Sequence, residues 1–120
     1  MAKKMLIFCG SADPYKAFPT FMLASGAVAM DMEITLFFTL SGLNIIKKGV
    51  AETIKLPGAP KTLPEFIDIM QEANAKFIAC SAAFPIVGCK EEDLIEGVEC
   101  GGVASFVSAA EESDVVLTFS

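Results

Sequence analysis

Apolar residues in this chain come in short unbroken runs separated by glycine, proline and carboxylates. "KMLIFCG", Lys4 to Gly10, and "MEITLFFT", Met32 to Thr39, are two of them. Continuous rather than alternating apolarity suits strands covered on both faces, as in a parallel sheet. The intervening "DPYKAFPTFMLASGAVAM" has helix length, and strand, helix, strand is the pattern of a βαβ unit. Asp13 followed by Pro14 makes a good helix start. Pro19 cannot donate a backbone N–H, so the helix either kinks there or begins near Ala17.

Beyond Phe38, "TLSGLNIIKKG" reads as a loop and a short helical piece closed by Gly49, and "VAETIKLPGAPK" as a connector without clear period, the most mobile stretch expected. Thr62 and Glu65 then form a capping box, with Leu63, Phe66, Ile67, Met70 and Ala73 following at helical spacing. That helix delivers the chain to the strand "KFIAC", Lys76 to Cys80, and the short helical stretch "SAAFPIVG". "CKEEDLIEGVECGG" crowds carboxylates around a short helix before a glycine pair opens "VASFVSAAEES". In that last helix Val103, Phe106, Val107 and Ala110 make one face, and Asp114 leads into a final strand, "VVLTF". The pattern predicts a three-layer α/β/α fold on a mainly parallel sheet of about five strands. Four strands are clear and a short fifth falls near Val98, all in one domain spanning residues 1–120.

Composition narrows the function classes. Apolar residues make up 53% of the 120, yet no run approaches the roughly 20 needed to span a membrane. A chain this short has little interior for so much apolar surface, which points to a homo-oligomer, a trimer or larger. The opening "MAKKMLIFCG" stops too soon for an export signal and reads as a first strand, so a cytoplasmic address and reduced thiols are expected. All nine positive charges are lysines, the net charge is −6 and there is no histidine. Nucleic-acid binding and histidine-based triads are therefore disfavoured. The four cysteines, Cys9, Cys80, Cys89 and Cys100, form no CxxC pair, so neither a metal nor another cofactor is implied.

Cys80 is the candidate reagent. In open parallel sheets catalytic groups gather beyond the carboxyl ends of the strands, and Cys80 closes "KFIAC". A helix beginning at Ser81 would bring free amides and its positive dipole end to the sulfur, with small Ser81 and Ala82 leaving those amides approachable. Gly10 and Ser11 after strand one, Gly42 and Asn44 after strand two, and Gly101 and Gly102 before the last helix are candidates to line a cleft beside it. Cys89 is a possible resolving thiol. Cys9 is read as core packing, with a Cys80 disulfide as the alternative, and Cys100 as packing beside the glycine pair. The run Glu91, Glu92, Asp93, Glu96 and Glu99 is a solvated helix face or a dock for a basic carrier.

From "IFCGSADPYKAFPTF" through "FFTLSGLN", "KFIAC" and "EEDLIEGVE" to "GGVA", the chain resembles the DsrE/DsrF-like family, particularly its DsrE-like branch of proteins described as sulfurtransferases or peroxiredoxin-like. The family's strand-end cysteine falls on Cys80. "VAETIKLPGAPK" stands where many members carry a longer, methionine-rich insert, and "CSAAF" is similar to the cysteine and small residues of tRNA-thiolation sulfur-relay members. The resemblance implies an α/β sheet fold, a homo-trimer or homo-hexamer, and a persulfide relay on Cys80 among cytoplasmic carriers, with a TusA-like protein or a rhodanese as partner. The rival expectations are a non-catalytic module binding a small ligand beside an inert Cys80, and a thiol peroxidase or redox sensor using Cys80 and Cys89.

Overall fold

A computed structural model describes residues 2–120. Five strands form one sheet: β1 (Lys4–Cys9), β2 (Glu33–Phe38), β3 (Lys76–Cys80), β4 (Val98–Gly101) and β5 (Val115–Phe119). They lie in the order β4-β3-β2-β1-β5 and every neighbouring pair is parallel. The short strand expected near Val98 is β4. The helices are α1 (Pro14–Ala29), α2 (Leu63–Glu72), α3 (Phe84–Val87) and α4 (Val103–Glu112).

Helix α1 starts at Pro14, where Asp13 caps it by accepting the Tyr15 N–H at 2.8 Å, and it continues through Pro19. Helix α2 opens with the expected capping box: the Glu65 N–H donates to Thr62 Oγ1 at 3.3 Å and the Thr62 N–H donates to Glu65 Oε1 at 3.0 Å. Its Leu63, Phe66, Ile67 and Met70 are buried, each stabilising the fold by about 1.5–3 kcal/mol relative to an exposed side chain. Ala73 lies at the exposed C-cap instead of extending that face.

The strand order distributes the layers unequally. From β1 to β4 the chain steps in one direction across the sheet, so right-handed crossovers place their helices on a single face. On that face Phe21 packs against Phe38 and Phe66, Phe18 against Phe66, and Phe38 against Phe77. The return from β4 to β5 puts α4 on the opposite face, where Phe106 packs edge-on against Phe8 and Phe37. Helix α4 buries no residue completely. Phe106, Ala109 and Ala110 turn inward, whereas Val103 and Val107, expected on the packed face, stand 70% and 50% exposed. One ten-residue helix cannot cover five strands, and a groove of about 720 Å³ remains beside it, lined by Thr35, Ile78, Glu99, Gly101, Ser105 and Glu112 among others.

The connections are tighter than their composition suggests. Leu40–Ile46 is a 3₁₀ turn burying Gly42, Leu43, Ile45 and Ile46. The connector after it holds one further 3₁₀ turn, Ala51–Thr53. Glu91–Asp93 is also a single 3₁₀ turn, so the acidic run does not ride on a helix.

Candidate functional site

Register fixes where each strand-end thiol points. Cys9 pairs with Phe38, Phe38 with Ala79, and Ala79 with Cys100, while Cys80 pairs with Gly101 one step further on. Successive residues of a strand face opposite ways. Cys9 and Cys100 thus share the face bearing α1 and α2, and Cys80 and Gly101 share the face bearing α4. The sheet itself separates the Cys9 and Cys80 thiols, and two strand spacings, roughly 10 Å, lie between their strands. This arrangement supports the packing reading of Cys9. That thiol is fully buried and donates to the Ser11 carbonyl at 3.4 Å; burial pushes its pKa up against a smaller opposing effect from the Thr20 hydroxyl.

Cys80 is 5% exposed, although the next two residues, Ser81 and Ala82, are exposed. The chain turns at Ser81–Ala83 in a 3₁₀ turn and then forms the four-residue α3. The short helical stretch read at "SAAFPIVG" is therefore present, but a helix that short supplies little dipole to the sulfur. The Ser81 hydroxyl is also engaged elsewhere: it donates to the Gly101 carbonyl at 3.1 Å. Beyond Gly101, the Gly102 N–H donates to Ser105 Oγ at 3.2 Å. A Cβ on Gly101 would stand 2.8 Å from Ser105 Oγ and 2.9 Å from Ile78 Cγ2, so the strand end tolerates no side chain there without a shift. Ser81, Gly101, Gly102 and Ser105 therefore form one cluster beside Cys80. Ser105 went unremarked in the sequence; its signal is a serine three residues after a helix-opening glycine.

Gly10 and Ser11 belong to a second cluster around the end of β1. The Gly10 N–H donates to the Phe119 carbonyl at 2.9 Å, Ser11 Oγ accepts the Asp13 N–H at 3.1 Å, and half-buried Asn44 lies in the turn after β2. Gly42 joins these pieces: a Cβ there would stand 2.3 Å from the Cys9 carbonyl oxygen. The structure brings Gly101 opposite Cys80, keeps Gly10 and Ser11 at the end of β1, and sets Asn44 in a turn that reaches β2, β3 and α3.

Cys89 is buried and donates to the Lys90 carbonyl at 3.5 Å. Burial raises its pKa, Lys47 lowers it and Asp93 adds to the rise. Cys100 is exposed, yet its pKa is raised by partial desolvation first and then by the charge and hydrogen bonding of Glu91, with a contribution from Cys89. Cys89 thus acts on Cys100, a neighbour that the spacing between Cys80 and Cys89 does not reveal. Among the described residues, no group of three or more acidic or cysteine side chains is arranged to hold a metal, and no helix is long and apolar enough to cross a membrane.

Comparison with known proteins places this geometry. Residues 2–119 match the model of the DsrE/DsrF-like family. The chain is 29% identical to the sulfur carrier protein DsrE2 of Allochromatium vinosum, covering 96% of this chain and 97% of that one. It is also 29% identical to YrkE of Bacillus subtilis, an uncharacterised protein, with 96% of each covered. These alignments run over 154 and 153 positions against 120 residues here, so both relatives carry residues that this chain lacks. The fold matches that of YchN from E. coli with a TM-score of 0.76 at 22% identity, over 99% of this chain and 100% of that one. It matches MTH1491 of Methanobacterium thermoautotrophicum, a protein of unknown function, with a TM-score of 0.77 at 16% identity, over 96% and 98% of the two chains.

Proposed function

The chain belongs to the DsrE/DsrF-like family, and from that membership we propose that it is a sulfur-relay protein in which Cys80 accepts and passes on sulfane sulfur. The observation carrying this reading is the place of Cys80: it ends an inner strand at the carboxyl edge of a parallel sheet, where the register opposes it to a glycine. The likeness to a sulfur carrier at 29% identity supports the same assignment.

The Cys80 thiolate attacks the outer sulfur of a donor persulfide. The donor's S–S bond breaks, its electron pair leaves with the donor thiolate, and Cys80 holds the sulfur as a persulfide. An acceptor thiolate then attacks that outer sulfur and expels the Cys80 thiolate. One S–S bond forms and one breaks at each step, so no external oxidant is required. The donor and acceptor we propose are a rhodanese and a TusA-like carrier, and the working form a cytoplasmic homo-oligomer, trimeric or hexameric. The net charge of −6 suits a basic carrier better than an acidic one.

The near-complete burial of Cys80 favours a second reading, a binding module whose thiol is inert. Delivery separates the two. With thiosulfate and a rhodanese as donor, wild-type protein transfers sulfur to an acceptor thiol protein and Cys80→Ser does not. Equal delivery by both proteins, or by neither, rejects the relay.

A further inference from the structure

The two margins of the sheet are finished differently. β4 is four residues long and carries Glu99, which is paired with Lys76 at 3.4 Å. Short length and charge are how natural sheets keep an edge from pairing with another chain. β5 has neither protection: Val115–Phe119 is VVLTF, five residues without a charge or a proline, and among the described residues β1 is the one strand beside it. Its free backbone groups can be located. In an extended strand the N–H and C=O of one residue point to the same side, and the side alternates along the chain. The Phe119 carbonyl accepts the Gly10 N–H at 2.9 Å, so Val115, Leu117 and Phe119 address β1. Val116 and Thr118 therefore turn their N–H and C=O groups outward, and both residues are exposed. Their side chains share the face of Phe8, on which α4 lies. Ser105, Ser108 and Glu112 line the groove over β2, β3 and β4. At about 100° per residue, Val103 and Val107 fall on the other flank of α4, toward β5. They stand 70% and 50% exposed, and Val116 42%.

We propose that β5 is a docking edge for a second copy of this chain, the two β5 strands pairing antiparallel about a two-fold axis at Leu117 and joining the two sheets into one. This register sets Leu117 opposite its own counterpart and Val116 opposite Thr118 of the second copy. Each such Val116–Thr118 pair exchanges two hydrogen bonds, which together use every outward N–H and C=O of these residues in both copies. Charge favours the same arrangement. A net charge of −6 sets a second copy against most of the surface, whereas the length of this edge is uncharged. Beyond the strand the register brings Asp114 opposite Ser120 of the second copy, and the Ser120 carbonyl accepts from Lys16 Nζ. Each Asp114 carboxylate thereby meets a lysine across the axis. The inference rests on the homo-oligomer in the proposed function and deepens it, since a two-fold contact builds dimers and hexamers but not a lone trimer.

The test is the mass of the full chain in solution, measured by light scattering. Wild type is expected as a dimer or hexamer. Val116→Lys sets a charge on the edge, and Thr118→Pro removes an outward N–H at a position where an edge strand admits proline. Each is expected to halve the mass, to monomer or trimer, while circular dichroism reports a folded chain. Ser108→Lys, on the groove flank of α4, is expected to keep the wild-type mass. Should Thr118→Pro not fold, Val116→Lys decides alone. Leu117→Cys tests the register: residues opposed in a non-hydrogen-bonded pair have Cα atoms about 4.5 Å apart, within disulfide range. Diamide oxidation is expected to link that variant into a covalent dimer and not Val115→Cys, roughly 14 Å from its counterpart. An unchanged mass in the folded edge variants, or no dimer from Leu117→Cys, overturns the edge. A trimeric wild type overturns it and leaves the homo-oligomer standing, whereas a monomeric one overturns both. Sulfur delivery by wild type against Cys80→Ser is a separate readout, so failure of the edge and failure of the relay are told apart.

Discussion

Single residues join the strand ends. Gly42 presses its backbone onto the end of β1, and the hypothetical Cβ contact of 2.3 Å is with a carbonyl oxygen that already accepts the Thr39 N–H at 3.1 Å. Gly42→Ala must therefore shift backbone, and we expect it to cost at least about 1–3 kcal/mol, read as a fall in the urea midpoint. Gly26→Ala is the contrast: nothing lies within 4 Å of that Cβ, the position is inside α1, and the substitution is expected to raise stability by about 0.5–1 kcal/mol. Equal effects at the two positions would contradict the packing described. At this scale Cys80 was readable as the thiol closing an apolar run. Its opposition to Cys9 across the sheet was not, because one residue of register decides which face a side chain takes, and register is set by pairings far apart in sequence.

Elements carrying their own signals were the legible ones. Helix α2 is written by Thr62, Glu65 and an apolar stripe, all local. Thr62→Ala removes the side-chain acceptor and is expected to cost about 1 kcal/mol, measured by denaturant unfolding, with no change in the Cys80 alkylation rate. The Thr62 backbone N–H and hydroxyl hold the Glu65 pKa below its ordinary value. Their stabilisation is therefore present above the ordinary carboxylate range and lost as pH falls through the lowered value. Helix α4 was legible in extent but not in orientation. Its apolar residues outnumber those that can touch the sheet, and only the path of the returning crossover selects Phe106, Ala109 and Ala110. The acidic run misled in the same way, since Glu91–Asp93 is a turn whose Glu91 acts on Cys100, contributed by another strand.

At the scale of the molecule, the strand order places three connections on one face and one on the other, so the thiol proposed to react faces the thinner layer. Thiol titration leaves a second molecular signature. The Cys9, Cys89 and Cys100 pKa values are all raised above the ordinary thiol value, burial being the largest cause in each. An acid with a raised folded-state pKa contributes its full stability below the unfolded value, and that stability falls as pH rises from about 9.0 toward the folded value. Unfolding free energy is thus expected to decline on the alkaline side, and less steeply in Cys9→Ala than in wild type. An identical slope in the two proteins would show that Cys9 does not drive the decline.

The central claim concerns which of four thiols takes the sulfur. Reduced protein incubated with polysulfide, digested and mapped by mass spectrometry reports added sulfur thiol by thiol. The account predicts one reductant-labile sulfur atom on the peptide containing Cys80, absent from Cys80→Ser. Sulfur found only on Cys89 or Cys100, or on none under conditions that load a known carrier, would contradict it.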